Sequence, residues 1–136
     1  MYANFKHTDV TEKIIGAFFV VYNMLGYGFS EKVYENALVI ELRKMGLHVV
    51  QQAQILVYYE GQVVGEFFAD MIVEGKVILE LKSAKMILKE HEAQILTYMK
   101  ATTYEVGLLL NFGPEAKHKR FGYDNSKKGS LSWIQK

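Results

Sequence analysis

Residues 67–82 read Phe67-Phe68-Ala69-Asp70-Met71-Ile72-Val73-Glu74-Gly75-Lys76-Val77-Ile78-Leu79-Glu80-Leu81-Lys82. Two runs of strand-forming residues flank Glu74-Gly75, a turn signal, so the stretch predicts a hairpin of strands Val63–Val73 and Lys76–Lys82. Strand alternation puts Ile78, Glu80 and Lys82 on one face and Val77, Leu79 and Leu81 on the other. Asp70 interrupts the apolar run of the first strand, where a carboxylate is costly unless something compensates it. If the two strands are neighbours, Asp70 joins Glu80 and Lys82 near the strand ends.

Working outward, His48–Tyr59 is rich in Val, Ile, Gln and Tyr and reads as a strand. It meets the Val63 strand through Glu60-Gly61, which makes an antiparallel meander of three. Residues 89–101 return to helical spacing, with Ile95, Leu96 and Met99 apolar, and Glu105–Asn111 is a buried strand ended by Gly113. The intervening helix lets that strand return parallel to the third. Upstream, Asp9 and Glu12 form a capping-box pattern ahead of a helix whose apolar positions are Val10, Ile14, Ala17, Phe18 and Val21. Gly26 and Gly28 break it. Ser30 then caps a second helix, Glu31–Met45, stopped by Gly46. The expected fold is α/β (α+β), a mixed central sheet of about four strands flanked by helices.

The composition narrows the class. The chain has 136 residues, half of them hydrophobic, with one proline and no cysteine. That fits one domain with a real core, and it excludes a disulfide framework, a thiolate zinc site and a cysteine nucleophile. The apolar run Ile14–Tyr22 contains Gly16, follows acidic rather than basic residues and is too short to span a membrane. The expectation is a cytoplasmic protein without a membrane partner. Residues 1–81 carry six basic and ten acidic side chains, whereas residues 82–136 carry ten basic and five acidic. A net charge of +1 therefore hides a basic C-terminal half, compatible with a polyanion-binding face and equally with a solvated surface.

Two carboxylates converging on one point suit a hard divalent cation such as Mg²⁺ (or Mn²⁺), which takes oxygen ligands and keeps several waters. A cation held this way polarises a phosphodiester and activates water, and an adjacent lysine orients that water or offsets developing negative charge. Glu80 and Lys82 also fit the exposed face of an edge strand, with Asp70 paired to a neighbour. Two helical constellations bear on the choice. Glu31, Tyr34 and Leu38 share a helix face, so Glu31 is a candidate third metal or water ligand, with Glu35 one turn on as its rival. Glu31 equally fits a carboxylate complementing the helix dipole. His91, Gln94 and Tyr98 share a face of the third helix, where Gln94 and Tyr98 can hydrogen-bond a phosphate, a base edge or a metal-bound water; a solvated face with a half-buried tyrosine explains them too.

Together these segments resemble the GxxExxY protein family of the PD-(D/E)XK nuclease superfamily. Gly28-Phe29-Ser30-Glu31-Lys32-Val33-Tyr34 resembles its namesake motif. The likeness continues through Ala69-Asp70, Val77–Lys82, His91-Glu92-Ala93-Gln94 with Tyr98, and Gly107-Leu108-Leu109-Leu110-Asn111-Phe112-Gly113. It implies a restriction-endonuclease-like core over about residues 8–113 of a single domain spanning 1–136, with 114–136 as a basic extension. It implies Asp70 and Glu80 as metal ligands, Lys82 as the catalytic lysine and Glu31 as the accessory acid. Gln94 and Tyr98 look like the extra QxxxY motif of the RecB-like exonuclease branch; Tyr34, His91 and Lys85 join them as expected substrate contacts. The extension holds Lys117, His118, Lys119, Arg120, Lys127 and Lys128 with Phe121 and Tyr123 interleaved, a pattern that grips a backbone and stacks on bases, or that forms a solvated terminal strand. The expected activity is Mg²⁺-dependent hydrolysis of DNA. The alternative is a catalytically silent nucleic-acid-binding or protein-interaction module on the same fold. Either is compatible with a homodimer or with a subunit of a repair complex.

Overall fold

The computed structural model describes residues 6–135. Two helices come first, α1 (Thr8–Leu25) and α2 (Glu31–Lys44), followed by strands β1 (Val49–Tyr59), β2 (Gln62–Val73) and β3 (Val77–Lys82). Then come helix α3 (Lys89–Lys100) and strands β4 (Val106–Phe112) and β5 (Ala116–Gly122), with two short 3-10 turns after them. The strands form one sheet in the order β1-β2-β3-β4-β5. All neighbours are antiparallel except β3 and β4, which run parallel across the α3 crossover.

The expected meander, crossover and helices are all present, and the sheet has a fifth strand. Residues 116–122 lie in the segment expected to extend beyond the core; they pair along the whole of β4, from Phe112↔Ala116 to Val106↔Gly122. Because β4 is buried at every position, it needs a neighbour on both sides to satisfy its backbone. Two local details also differ from expectation. α1 starts at Thr8, one residue early, behind His7 in the left-handed region, so Asp9 lies in the first turn and no side chain caps the helix. Ser30 does occupy the N-cap of α2, yet its hydroxyl makes no capping bond.

The sheet separates two apolar layers. On one side, Ile14, Phe18 and Val21 of α1 and Tyr34, Leu38 and Leu42 of α2 pack on Val77, Leu79 and Leu81 of β3 and Leu108, Leu110 and Phe112 of β4. There the Tyr34 ring stacks on Phe112 at 4.3 Å, and Phe18 meets the same ring edge-on at 4.7 Å. On the other side, Ile95 and Met99 of α3 cover Ile78 and Leu109. Helix α3 comes so close to β4 that a Cβ on Gly107 would meet Met99 Sδ at 2.8 Å. The alternation within Val77–Lys82 thus sends the three aliphatic residues to α1 and α2, and it sends Glu80 and Lys82 toward α3.

Candidate active site

Strands β2 and β3 pair in register only from Val73↔Val77 to Met71↔Leu79. Beyond that point side chains replace the ladder. The Asp70 backbone N–H donates to Glu80 Oε1 at 3.1 Å, and the Leu81 N–H donates to Asp70 Oδ2 at 2.8 Å. These crossed bonds hold both carboxyl groups in the fork where the strands diverge. Opposite Asp70 on the other side, β1 skips a pair: Gln51 aligns with Met71 and Ala53 with Ala69, leaving Gln52 at φ 49. That left-handed residue aims its side-chain amide inward without shifting the strand register, at 2.8 Å from Glu35 Oε1 and 3.4 Å from Asp70 Oδ1.

Glu80 is 3 % exposed. Burial, and next the Asp70 charge, push its carboxyl up to about 9, against the pull of the Asp70 N–H and the Lys82 ammonium. Without a cation, the pair therefore keeps a proton on Glu80 at neutral pH. A divalent ion supplies the positive charge that this proton otherwise supplies. Each carboxylate spends one oxygen on a backbone N–H, Asp70 Oδ1 takes a long contact from Gln52 at 3.4 Å, and the two carboxyl groups lie close enough to share a proton. Among the described residues no cluster of three or more His, Cys, Asp or Glu converges. The donor set is thus two carboxylates, which suits an ion that retains most of its water and does not suit one needing a full protein cage.

The structure divides the remaining expected residues. Lys82 is half-buried on the Glu80 side of β3 and contributes the favourable charge just described. Tyr98 is buried on α3, receives a hydrogen bond from Gln94 Nε2 at 3.0 Å, and lies against Phe67 at 5.4 Å. Burial raises its phenol, as do the Glu80 and Asp70 charges, so Gln94 and Tyr98 flank the carboxylates. Glu31 is exposed at the start of α2. Of the two candidate acids on α2 it is Glu35 that reaches the Asp70 neighbourhood, 4 % exposed and held by Gln51 at 2.8 Å, Gln52 at 2.8 Å and Lys32 at 3.0 Å.

Tyr34, expected to touch substrate, is fully buried; its hydroxyl donates to the Gly26 carbonyl at 2.5 Å and accepts from the Phe29 N–H at 3.2 Å. It fixes the loop before α2 and cannot reach a ligand. His91 Nδ1 accepts the Leu88 N–H at 3.1 Å, closing the first turn of α3. Lys85 stands exposed on the β3–α3 loop.

The basic extension does not act as one cluster. Lys128 is 1 % exposed and donates to the Thr102 and Tyr104 carbonyls at 3.0 and 2.7 Å, with burial pushing it down to about 8. Arg120 donates to Thr11 Oγ1 and to the Lys6 carbonyl, and Phe121 is buried under α3. These three staple the C-terminal segment to the core, and among its described basic residues only Lys117, His118, Lys119 and Lys127 remain exposed.

Sequence reasoning missed Gln51, Gln52 and Asn111. A signal existed for Glu35, because it sits on the same stripe as Leu38, Val39 and Leu42 and so points inward, whereas Glu31 lies a turn further out. None existed for Gln52, whose role depends on a left-handed backbone conformation inside a strand.

A model of the PD-(D/E)XK nuclease superfamily matches residues 8–121. The chain belongs to that superfamily. The match takes in all five strands nearly to the end of β5, and the restriction-endonuclease-like arrangement is the fold observed. Among solved structures, one titled "Crystal structure of SSO0001" superposes with a TM-score of 0.55 at 18 % identity. It covers 92 % of this chain, and this chain spans 64 % of that one, so the fold is shared with a longer protein. No curated protein matches the sequence significantly. No helix among the described residues is long and apolar enough to cross a membrane.

Proposed function

We propose that this PD-(D/E)XK domain is a metal-dependent nuclease that hydrolyses DNA phosphodiester bonds, with Asp70 and Glu80 binding Mg²⁺ (or Mn²⁺). The observation that carries the reading is the fork itself. Two carboxyl groups are held by each other's strand in a buried site, and one of them sits so far from its ordinary protonation range that only a proton or a cation balances it. When bound, the ion would supply Lewis-acid polarisation of the phosphate and an activated water. The chain's own residues then divide the work. Asp70 and Glu80 fix the ligand position through backbone hydrogen bonds. Lys82 places an ammonium beside them, where it can orient the attacking water and offset charge on the phosphorane oxygens. Tyr98 and Gln94 close the α3 side of the site and present a hydroxyl and an amide to a backbone oxygen. Glu35, acting through Gln52, is a positioning residue for Asp70.

The test is cleavage of single-stranded, double-stranded and branched DNA, with RNA alongside, in Mg²⁺ or Mn²⁺ against EDTA. Glu80→Gln and Lys82→Ala should each lower the rate by about 10²-fold or more, the scale of losing one charge-stabilising group. Glu35→Gln should weaken Mn²⁺ binding, measured by calorimetry, more than Glu31→Gln does. Undiminished cleavage by Glu80→Gln, or no cleavage of any substrate with either metal, would refute the assignment.

A further inference from the structure

Beside the site, on the same face of the sheet, a cavity of about 580 Å³ opens between the β3–α3 loop and β5. Its lining includes Lys85, Lys117 and Lys119. The position follows from register. Lys82 pairs with Asn111, and Asn111 pairs with Lys117, so one row of side chains on one face crosses β3, β4 and β5. With strands roughly 4.8 Å apart, Lys117 stands about 10 Å along that row from Lys82.

The loop that completes the cavity is held in place. Asn111 is 1 % exposed, and its amide clasps the Ala84 backbone from both sides, accepting the N–H at 2.9 Å and donating to the carbonyl at 3.0 Å. A Cβ on Gly113 would overlap that same Ala84 carbonyl oxygen, so Gly113 is what lets the loop lie flat on β4. The chain thus leaves Lys82, crosses β4 at Ala84 and delivers Lys85 to the β5 side, beside Lys117. The segment Gly107–Gly113, which carries no ligand of the carboxylate fork, builds this cradle.

The carboxylates around the cavity do not neutralise it. Glu92 pairs with Lys119 at 2.7 Å and closes the floor. Glu115 meets Lys117 at 3.3 Å with both side chains mostly in water, at 77 % and 62 % exposure. Such a solvated pair is worth little and exchanges readily for a better anion. Lys85 is exposed and makes no ion pair with any described residue.

We propose that this cavity is a subsite for a backbone phosphate of the strand being cut, bound by Lys85 and Lys117 about two to three nucleotides from the scissile bond. The inference rests on the nuclease reading above and adds to it the path of the substrate: over the β3–α3 loop toward β5, not along the β1–β2 hairpin.

The experiment measures binding of fluorescein-labelled single-stranded DNA, duplex DNA and single-stranded RNA to the EDTA-treated protein by anisotropy, from 50 to 200 mM NaCl. Lys85→Ala and Lys117→Ala should each lower the slope of log K against log salt by about 1, and the double variant by about 2. Each lysine removed therefore makes the loss of affinity over that salt range roughly threefold smaller. The effect should be equal across sequences, because phosphate is read and bases are not. Lys13→Ala and Lys44→Ala, on the helices of the opposite face, should leave the slope unchanged, and melting curves would confirm that every variant is folded. If the wild type binds and the double variant keeps its slope, the subsite is wrong while the nuclease reading stands. If the wild type neither binds nor cleaves any of the three, both fall.

Discussion

Gly113→Ala tests the clasp that joins β4 to the β3–α3 loop at Ala84. A methyl group at this position would overlap the Ala84 carbonyl oxygen and come within 2.9 Å of Asn111 Nδ2. Neither neighbour is the free end of a flexible side chain: one is backbone, and the other is locked to that backbone at 3.0 Å. Relief requires Ala84 to lift off β4, which breaks one or both of its bonds to Asn111. Overpacking costs about 1–3 kcal/mol, and each hydrogen bond lost with a buried partner adds about 1 kcal/mol. We therefore expect a loss near 3 kcal/mol, or about 10 °C in Tm for a domain of this size. Gly16→Ala is the matched control. Gly16 lies within α1, and a Cβ there meets nothing within 4 Å. Because alanine is the better helix former by about 1 kcal/mol, its Tm should rise by roughly 3 °C. Thermal melts followed by circular dichroism, with urea titrations at 25 °C, read both. If Gly113→Ala melts within 2 °C of the wild type, the cradle is not held as described.

Two further outcomes follow from the site and its supports. In EDTA, Glu80 titrates near 9 in the folded chain and near 4.5 in the unfolded one, so the folded state binds the extra proton between those values. Its contribution to stability is complete below about pH 4.5 and is lost as pH rises toward 9, at of order 1 kcal/mol per pH unit. Urea midpoints from pH 6 to 8 should fall steadily in the wild type and stay nearly level in Glu80→Gln; equal slopes would show that Glu80 is already ionised. Tyr34→Phe keeps the ring on Phe112 and removes the hydroxyl that bridges Gly26 and Phe29. It should cost about 1–2 kcal/mol and speed hydrogen exchange at the Phe29 amide. Unchanged exchange there would mean that the loop is held by something other than Tyr34.

The parts of this molecule legible in the sequence are those governed by local period. Val77–Lys82 declares its two faces because alternate residues differ in kind, and α1 declares its buried stripe for the same reason at helical spacing. Even the parallel return of β4 follows from a helix standing between two apolar strands. A solvated terminal strand is one reading of residues 116–122, but its pairing is not legible, since Lys117, His118, Lys119 and Arg120 carry no apolar alternation, and only the needs of a fully buried β4 call them into the sheet. The site divides in the same way. Asp70 and Glu80 are conspicuous as carboxylates in aliphatic runs. Gln52 enters through a positive φ, Asn111 through a reach of 27 residues, and Lys128 by folding back onto Thr102 and Tyr104. Each depends on where distant backbone comes to rest, which no window of sequence contains. Reading basic residues as a single surface overlooked that two of them, Arg120 and Lys128, serve as fasteners.

The strand order β1-β2-β3-β4-β5 is also the order of synthesis. Every strand joins the sheet beside the one made just before it, so no partner must be awaited from further down the chain. The closures needed are short hairpin turns and a single helical crossover, which keeps the entropic barrier to assembly low. A ribosome releasing this chain would expose α1 and α2 before β1, with each new edge covered by the next arrival. The carboxylate fork forms as soon as β3 emerges, while the clasp on Ala84 waits for β4 and the cradle wall for β5. Growth in one direction leaves few long-lived open edges on which nascent copies could aggregate.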